Sequence, residues 1–234
     1  MRKKILISTG GSGGHVIPAI AFYDHLKEKF DVFFTLDQRG SKFLEKKKYN
    51  IKIIPAPRLT LNLIKLPLNF AMLFVSIIIS IFFLKREKID ILIGTGGYMS
   101  VPICIAAKIL NVKIYLFEPN MVLGRANKFL IKFSSKLFCY SKKIIHLPMK
   151  EKNKLVVIDK VLRKEIYNFS DYNKDKIEDK INLLIVGGSQ GAKIFDENLK
   201  NSILKLSKKY KLFVYHQVSS LDLKNLKYFY NNNE

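Results

Sequence analysis

The sequence predicts an α/β protein built on parallel sheet and organised as two units, the second of them short. Three observations carry that reading. Apolar runs of strand length alternate with helix-length stretches from Lys3 to Ser141, which is the rhythm of a parallel sheet with crossover helices. Glycine-rich turns follow the first and the fourth of these runs, and a third such turn follows the first strand of the later series. A polar, charge-rich stretch, Asn168–Lys180, interrupts the alternation, which restarts at Ile181. The expected division is residues 1–165, a linker at 166–180, and a second unit at 181–234 that ends after one strand–helix–strand.

Taken in order, Lys3–Thr9 (KKILIST) is the first strand, followed by a glycine turn and a helix to about Lys29. Asp31–Leu36 is a second strand, Ser41–Lys48 a short helix and Ile51–Ala56 a third strand. A long apolar helix leads to a fourth strand at Ile89–Thr95 and the helix VPICIAAKIL. Val112–Glu118 and Ser135–Ser141 are the fifth and sixth strands. The second unit reads as the strand INLLIVGG, the helix GAKIFDENLKNSILKLSKKY and the strand KLFVYHQ. A single β-α-β does not bury both faces of its own sheet, so this unit is expected to be the start of a larger domain.

Composition narrows the function classes. The 234 residues are 48% hydrophobic and 26% charged, which excludes global disorder. The formal charge is +22, which suits a polyanionic neighbour. Only six of the 41 basic residues are Arg, so a lysine-rich codon bias explains the excess equally well. No RNP, KH or helix-turn-helix signature is present, and nucleic acid is not an expected partner. Cys104 and Cys139 lie far apart in apolar stretches with no CxxC, so neither a disulfide framework nor a zinc site is expected. The apolar run Ile5–Ile7 is too short for the core of a signal peptide.

Leu66–Leu84 carries 19 residues without a charge between Lys65 and Lys85-Arg86-Glu87. By length it could span a bilayer, yet it occupies the place of a crossover helix and contains Pro67, Asn69, Ser76 and Ser80. A helix lying on, or dipping into, an anionic membrane surface is the expectation. A buried crossover helix and a true span are the alternatives.

Four motifs could carry chemistry. Thr9–His15 (TGGSGGH) joins the first strand to its helix, where glycine amides and a helix N-terminus favour phosphate or diphosphate. Val16 stands where a dinucleotide fingerprint needs its third glycine, and no G-x-x-x-x-G-K-S/T loop exists. Gly94–Pro102 (GTGGYMSVP), Phe117–Asn120 (FEPN) and Gly187–Ala192 (GGSQGA) likewise follow strands. All four lie at strand carboxyl ends, where open α/β sheets bind ligands.

In this order and spacing the motifs resemble the MurG-type glycosyltransferases, glycosyltransferase family 28. The resemblance runs through GGSGGHVIPAIA, GGYMSVP, FEPNMVLGRANKFL and VGGSQGAK, nearly the whole chain. It implies a GT-B fold of two Rossmann-like domains facing a cleft, the second incomplete here. It also implies inverting transfer of N-acetylglucosamine from UDP-N-acetylglucosamine to an undecaprenyl-diphospho-muramoyl-pentapeptide, without a cofactor or metal, by a peripheral protein on the cytoplasmic face of the bacterial inner membrane. Leu66–Leu84 would then belong to the membrane-facing patch. The alternative is a non-catalytic or split-partner lipid-binding relative, since the family's sequence continues well beyond the equivalent of Glu234.

Residue by residue, Ser12, Gly13, Gly14, Asn120, Arg163 and Ser189 match positions that the family assigns to the UDP-sugar. Gly10, Gly11, Gly96, Gly97 and Tyr98 form the loops for the acceptor diphosphate. Where the family has Gly-Asn-Pro ahead of its arginine, this chain has Asp159-Lys160-Val161. For the base that accepts the acceptor's hydroxyl proton, His15 is the one histidine on a glycine loop. A purely structural imidazole is the competing reading, with Tyr98 and Glu118 as reserves for the base.

Overall fold

A computed structural model describes residues 2–11, 13–44, 49–55, 66–167, 180–187, 193–219 and 222–232. The chain divides into two units, Met1–Ser170 and Asp171–Glu234.

The first unit holds a seven-stranded, wholly parallel sheet: β1 (Lys4–Ser8), β2 (Asp31–Leu36), β3 (Ile51–Ile53), β4 (Ile91–Gly94), β5 (Lys113–Glu118), β6 (Lys136–Cys139) and β7 (Leu155–Val157). Their order across the sheet is β3-β2-β1-β4-β5-β6-β7. The chain therefore builds outward from β1 in one direction, returns beside β1 as β4, and builds outward the other way. Ser8 pairs with Thr35 on one side and Gly94 on the other, so the carboxyl ends of β1, β2 and β4 finish level.

Alternation along each strand sends side chains to two cores. Ile5 and Ile7 of β1 join Val32, Phe34, Leu36 and Ile93 beneath α1 (Gly13–Leu26), which contributes Val16, Ala19 and Ile20. Leu6 points the other way, with Leu92, Leu116 and Leu137, under α2 (Leu66–Glu87) and α3 (Ser100–Ile109). Burial on both faces is why these strands read as unbroken apolar runs.

The helix α2 is the crossover from β3 to β4, and it is two-sided. Ser76, Ser80, Phe83 and Leu84 are buried, at helical spacing. The Ser76 hydroxyl shares its one proton between the carbonyls of Met72 and Pro55, and Ser80 donates to the Ser76 carbonyl, so both serines of this apolar segment close on backbone acceptors inside. Leu68, Phe70, Phe74, Val75 and Phe82 are exposed on the outside. By length and composition the helix is long and apolar enough to cross a membrane.

Several expectations are corrected. The helix expected at Ser41–Lys48 is a single 3-10 turn at Gly40–Phe43, and residues 45–48 lie outside the described set. The third strand stops at Ile53, before Pro55, which has no amide to offer the ladder. The sequence reading missed β7, a three-residue edge strand too short to show alternation. It also missed α4 (Arg125–Leu130) and the one-turn α5 (Lys164–Tyr167).

The second unit pairs β8 (Lys180–Ile185) in parallel with β9 (Lys211–His216) through α6 (Lys193–Ser207) and adds α7 (Leu223–Asn231), a further helix the sequence reading missed. Among its described residues Ile185, Ile203 and Leu226 are the buried apolar ones, while Leu184, Phe213 and Tyr215 are exposed on the opposite face of the strand pair.

Leu92 is fully buried at the centre of the larger sheet. Leu92→Ala is expected to lower unfolding free energy by about 2–5 kcal/mol, read from urea denaturation as a fall in midpoint at unchanged slope.

Candidate functional site

Three loops leave the level carboxyl ends of β1, β2 and β4, on either side of the point where strand order reverses. An open α/β sheet leaves a crevice at that point, because the loops on its two sides turn away from each other. Here, side chains span the crevice.

His15, in the first turn of α1, reaches the β4 loop: its Nδ1 lies 2.9 Å from the Thr95 carbonyl. A carbonyl only accepts, so Nδ1 carries a proton, and in the neutral ring the lone pair is on Nε2. The single proton of the Thr95 hydroxyl is shared between the carbonyls of His15 and Ser8, at 3.3 and 3.4 Å. Gly96 has φ +91, and a Cβ there would lie 3.2 Å from His15 Cε1. The imidazole thus sits on a backbone that only glycine supplies.

The second bridge was not anticipated. Asp37, at the end of β2, is buried, and its Oδ1 accepts from the amides of Gly11 (3.0 Å) and Gly40 (2.9 Å). Its Oδ2 accepts from Arg39 Nε and Nη2, at 3.1 and 2.9 Å, and from the Tyr98 hydroxyl at 3.4 Å. One carboxylate therefore ties all three loops. Burial alone would raise its pKa, but the Gly11 and Gly40 amides and the Arg39 charge outweigh it and hold the carboxyl below its ordinary value. Gly10 lies against the same group: a Cβ on it would stand 2.9 Å from Asp37 Oδ1 and 3.0 Å from Met99 Cγ. The signal available in the sequence was an acidic residue at a strand's carboxyl end within Asp-Gln-Arg-Gly, which matches no motif weighed there.

Glu118 is 2% exposed and fully engaged. Its Oε1 accepts from the Asn120 amide and side chain, and its Oε2 from the Gly124 amide and Asn127 Nδ2. It is the anchor of the loop after β5 and not an accessible base. Tyr98 in turn has its hydroxyl on Asp37 and its ring under the Arg39 guanidinium, 5.1 Å from centroid to Cζ. Of the reserves, neither stands free.

The structure therefore gathers Gly10, Gly11, Gly13, Gly14, His15, Gly96, Gly97 and Tyr98 across the strand reversal. Asn120 is exposed, its side-chain amide oriented by Glu118. Arg163 is not gathered with the first glycine loop. It is exposed, in a segment whose Leu162 carbonyl meets His25 Nε2. His25 is on the last turn of α1, about 18 Å of helix rise from Gly13. Ser12 and Ser189 lie outside the described residues. Among the described residues no group of three His, Cys, Asp or Glu could hold a metal ion.

Residues 5–139 match the glycosyltransferase family 28 N-terminal domain. The chain belongs to glycosyltransferase family 28. Within the family, it is 55% identical over 230 residues to a Pelagibacter ubique protein named UDP-N-acetylglucosamine--N-acetylmuramyl-(pentapeptide) pyrophosphoryl-undecaprenol N-acetylglucosamine transferase, covering 98% of this chain and 64% of the relative. It is 35% identical over 236 residues to the Caldicellulosiruptor saccharolyticus protein of the same name, covering 95% and 62%. The chain thus spans a little under two thirds of the length of these curated relatives. Among solved structures, MurG of Acinetobacter baumannii superposes with a TM-score of 0.72 at 23% identity, over 100% of this chain and 63% of that one. A UDP-GlcNAc 2-epimerase of Methanocaldococcus jannaschii superposes with a TM-score of 0.63 at 16% identity, over 97% and 68%. The α/β fold of GT-B type expected from the motifs is the fold of this family 28 chain.

Because Asp37 is depressed in the fold, its contribution to stability is present above the ordinary carboxylate value near 4 and is lost as pH falls through the lower folded value. Asp37→Asn is expected to cost about 1–3 kcal/mol at pH 7. The gap between wild type and variant should close in strong acid, as denaturant titrations from pH 7 to pH 2 would record.

Proposed function

We propose that this chain is the acceptor-binding domain and the opening of the donor domain of an inverting N-acetylglucosaminyltransferase. In this reading it acts on UDP-N-acetylglucosamine and an undecaprenyl-diphospho-muramoyl-pentapeptide in cell-wall synthesis. Residues 1–165 serve the lipid acceptor and the membrane, 166–180 link, and 181–234 begin the donor domain. The names of the family relatives support the substrates. The observation that carries the reading is His15: an imidazole with Nδ1 committed to the Thr95 carbonyl and Nε2 available, set between two glycine loops.

Glycosyl transfer needs a base on the acceptor hydroxyl, stabilisation of the departing diphosphate, and alignment of the two partners. His15 Nε2 takes the hydroxyl proton, and Thr95 fixes the tautomer that allows it. The amides of Gly10, Gly11, Gly96 and Gly97 hold the lipid diphosphate beside it, and those of Gly13 and Gly14 at the α1 N-terminus face the departing UDP. Ser189 and Asn120 belong to the UDP-sugar side, as does Ser12.

The exposed face of α2 is the membrane contact in this reading. Phe74, Ile78 and Phe82 form a stripe at four-residue spacing, and Lys85 and Arg86 follow at the helix end, which suits the anionic cytoplasmic leaflet of the inner membrane.

Two experiments test the proposal. In a chimera completed with the part of the Pelagibacter relative that this chain does not match, His15→Ala is expected to lower kcat by about 10²–10⁴ with little change in KM. A loss confined to KM would remove His15 from the role of base. Replacing Phe74, Ile78 and Phe82 by Asp should reduce binding to anionic-lipid vesicles by about tenfold or more with the circular dichroism spectrum retained. Unchanged cosedimentation would place the membrane contact elsewhere.

A further inference from the structure

We propose that Arg39 is a diphosphate-binding residue, held over the first glycine loop by Asp37 and Tyr98 so that its free guanidinium edge meets the phosphates. The inference rests on the proposed use of the Gly10–Gly14 loop and adds a side chain to it that none of the glycine motifs contains.

Arg39 is not needed to satisfy the carboxylate it bonds. Asp37 is already satisfied by the amides of Gly11 and Gly40, and the Tyr98 hydroxyl adds a third donor. A partly exposed ion pair adds little stability of its own. Yet the guanidinium is held on two sides. One edge, Nε and Nη2, is bonded to Asp37 Oδ2, and its flat face lies 5.1 Å from the Tyr98 ring centroid. Long side chains on an open surface lose rotamer freedom when so fixed, and here the fixing places the charge beside the glycine loop. A Cβ on Gly11 would lie 3.8 Å from Arg39 Nη2.

Arginine carries five N–H donors and cannot accept. Those not bonded to Asp37, on Nη1 and the outer side of Nη2, have no hydrogen-bond partner among the described residues. The side chain remains 39% exposed. A planar, permanently charged fork with one edge anchored and the other free matches the paired oxygens of a phosphate group. The amides of the α1 N-terminus address the same anion from the backbone side. A monoanionic carboxylate would answer only part of this arrangement. A diphosphate offers one group to the helix terminus and its neighbour to the fork. Two sources share that chemistry, a lipid diphosphate and a nucleoside diphosphate.

The test uses the 234-residue chain and three probes: inorganic pyrophosphate, UDP, and undecaprenyl diphosphate in detergent micelles. Wild type, Arg39→Gln and Arg39→Lys are titrated with each probe by calorimetry, and each protein is melted alone. The expectation is a 10- to 100-fold weaker affinity, in order of magnitude, for Arg39→Gln. Arg39→Lys should recover part of it through the retained charge, with melting temperatures of all three proteins close together. Loss for undecaprenyl diphosphate but not UDP assigns the fork to the lipid, and the reverse assigns it to the nucleotide. Equal affinities of wild type and Arg39→Gln for all three probes would overturn the proposal while leaving the glycine-loop reading intact. So would an equal loss in both variants accompanied by lowered melting, which would make Arg39 a structural residue. Failure of the wild type to bind any probe would instead bring down the glycine-loop reading, and this inference with it.

Discussion

The reversal of strand order beside β1 is the constraint on which the rest of the first unit depends. Every strand is parallel, so every loop of one kind emerges at the same edge, and only at the β1–β4 boundary do neighbouring loops turn away from each other. The opening that results is lined by backbone with few side chains of its own, since the two loops beside it are mostly glycine. Amides can then approach an anion closely, but a crevice of glycine backbone has little to hold its shape.

The shape is supplied by side chains that cross from loop to loop. His15 joins α1 to the β4 loop, and Asp37 joins the β1, β2 and β4 loops through one carboxylate. Glu118 holds its own following segment instead, accepting from Asn120, Gly124 and Asn127. In each case a charged or titratable group is drawn inward because backbone amides or a carbonyl complete its hydrogen bonds, which removes most of the cost of burial. In the proposed glycosyl transfer such rigidity would matter, because alignment of acceptor and donor supplies much of the rate of such reactions. A loop of free glycines would surrender that gain to entropy.

The helix α2 shows how one segment answers two demands. Ser76 and Ser80 face inward beside Phe83 and Leu84, where carbonyls accept their hydroxyls, while Leu68, Phe70, Phe74, Val75 and Phe82 face outward. The outward face is apolar where an ordinary surface helix is polar, which leaves an apolar face outside the core. Together with basic residues at its end, it suits a bilayer surface better than water.

Much of this was legible in the sequence. Strands buried on both faces are long apolar runs, and turns that need positive φ are glycines, so β1, β2, β4, β5 and the loops at Gly10–His15 and Gly94–Tyr98 announce themselves. Elements that packing creates were not legible. The short β7 and α4 have too few residues for periodicity to register, and the expected helix at Ser41–Lys48 yields to a 3-10 turn whose first residue, Gly40, is fixed by Asp37. The sequence could nominate His15 and Glu118 as bases on residue type alone. Only the tertiary structure separated them, because a base is defined by a free lone pair: Thr95, 80 residues away, leaves one on His15, while four donors consume those of Glu118. Sequence determined which backbone could bend around an anion. Long-range hydrogen bonds, between residues with no local relation, decided which side chains remain free to act on it.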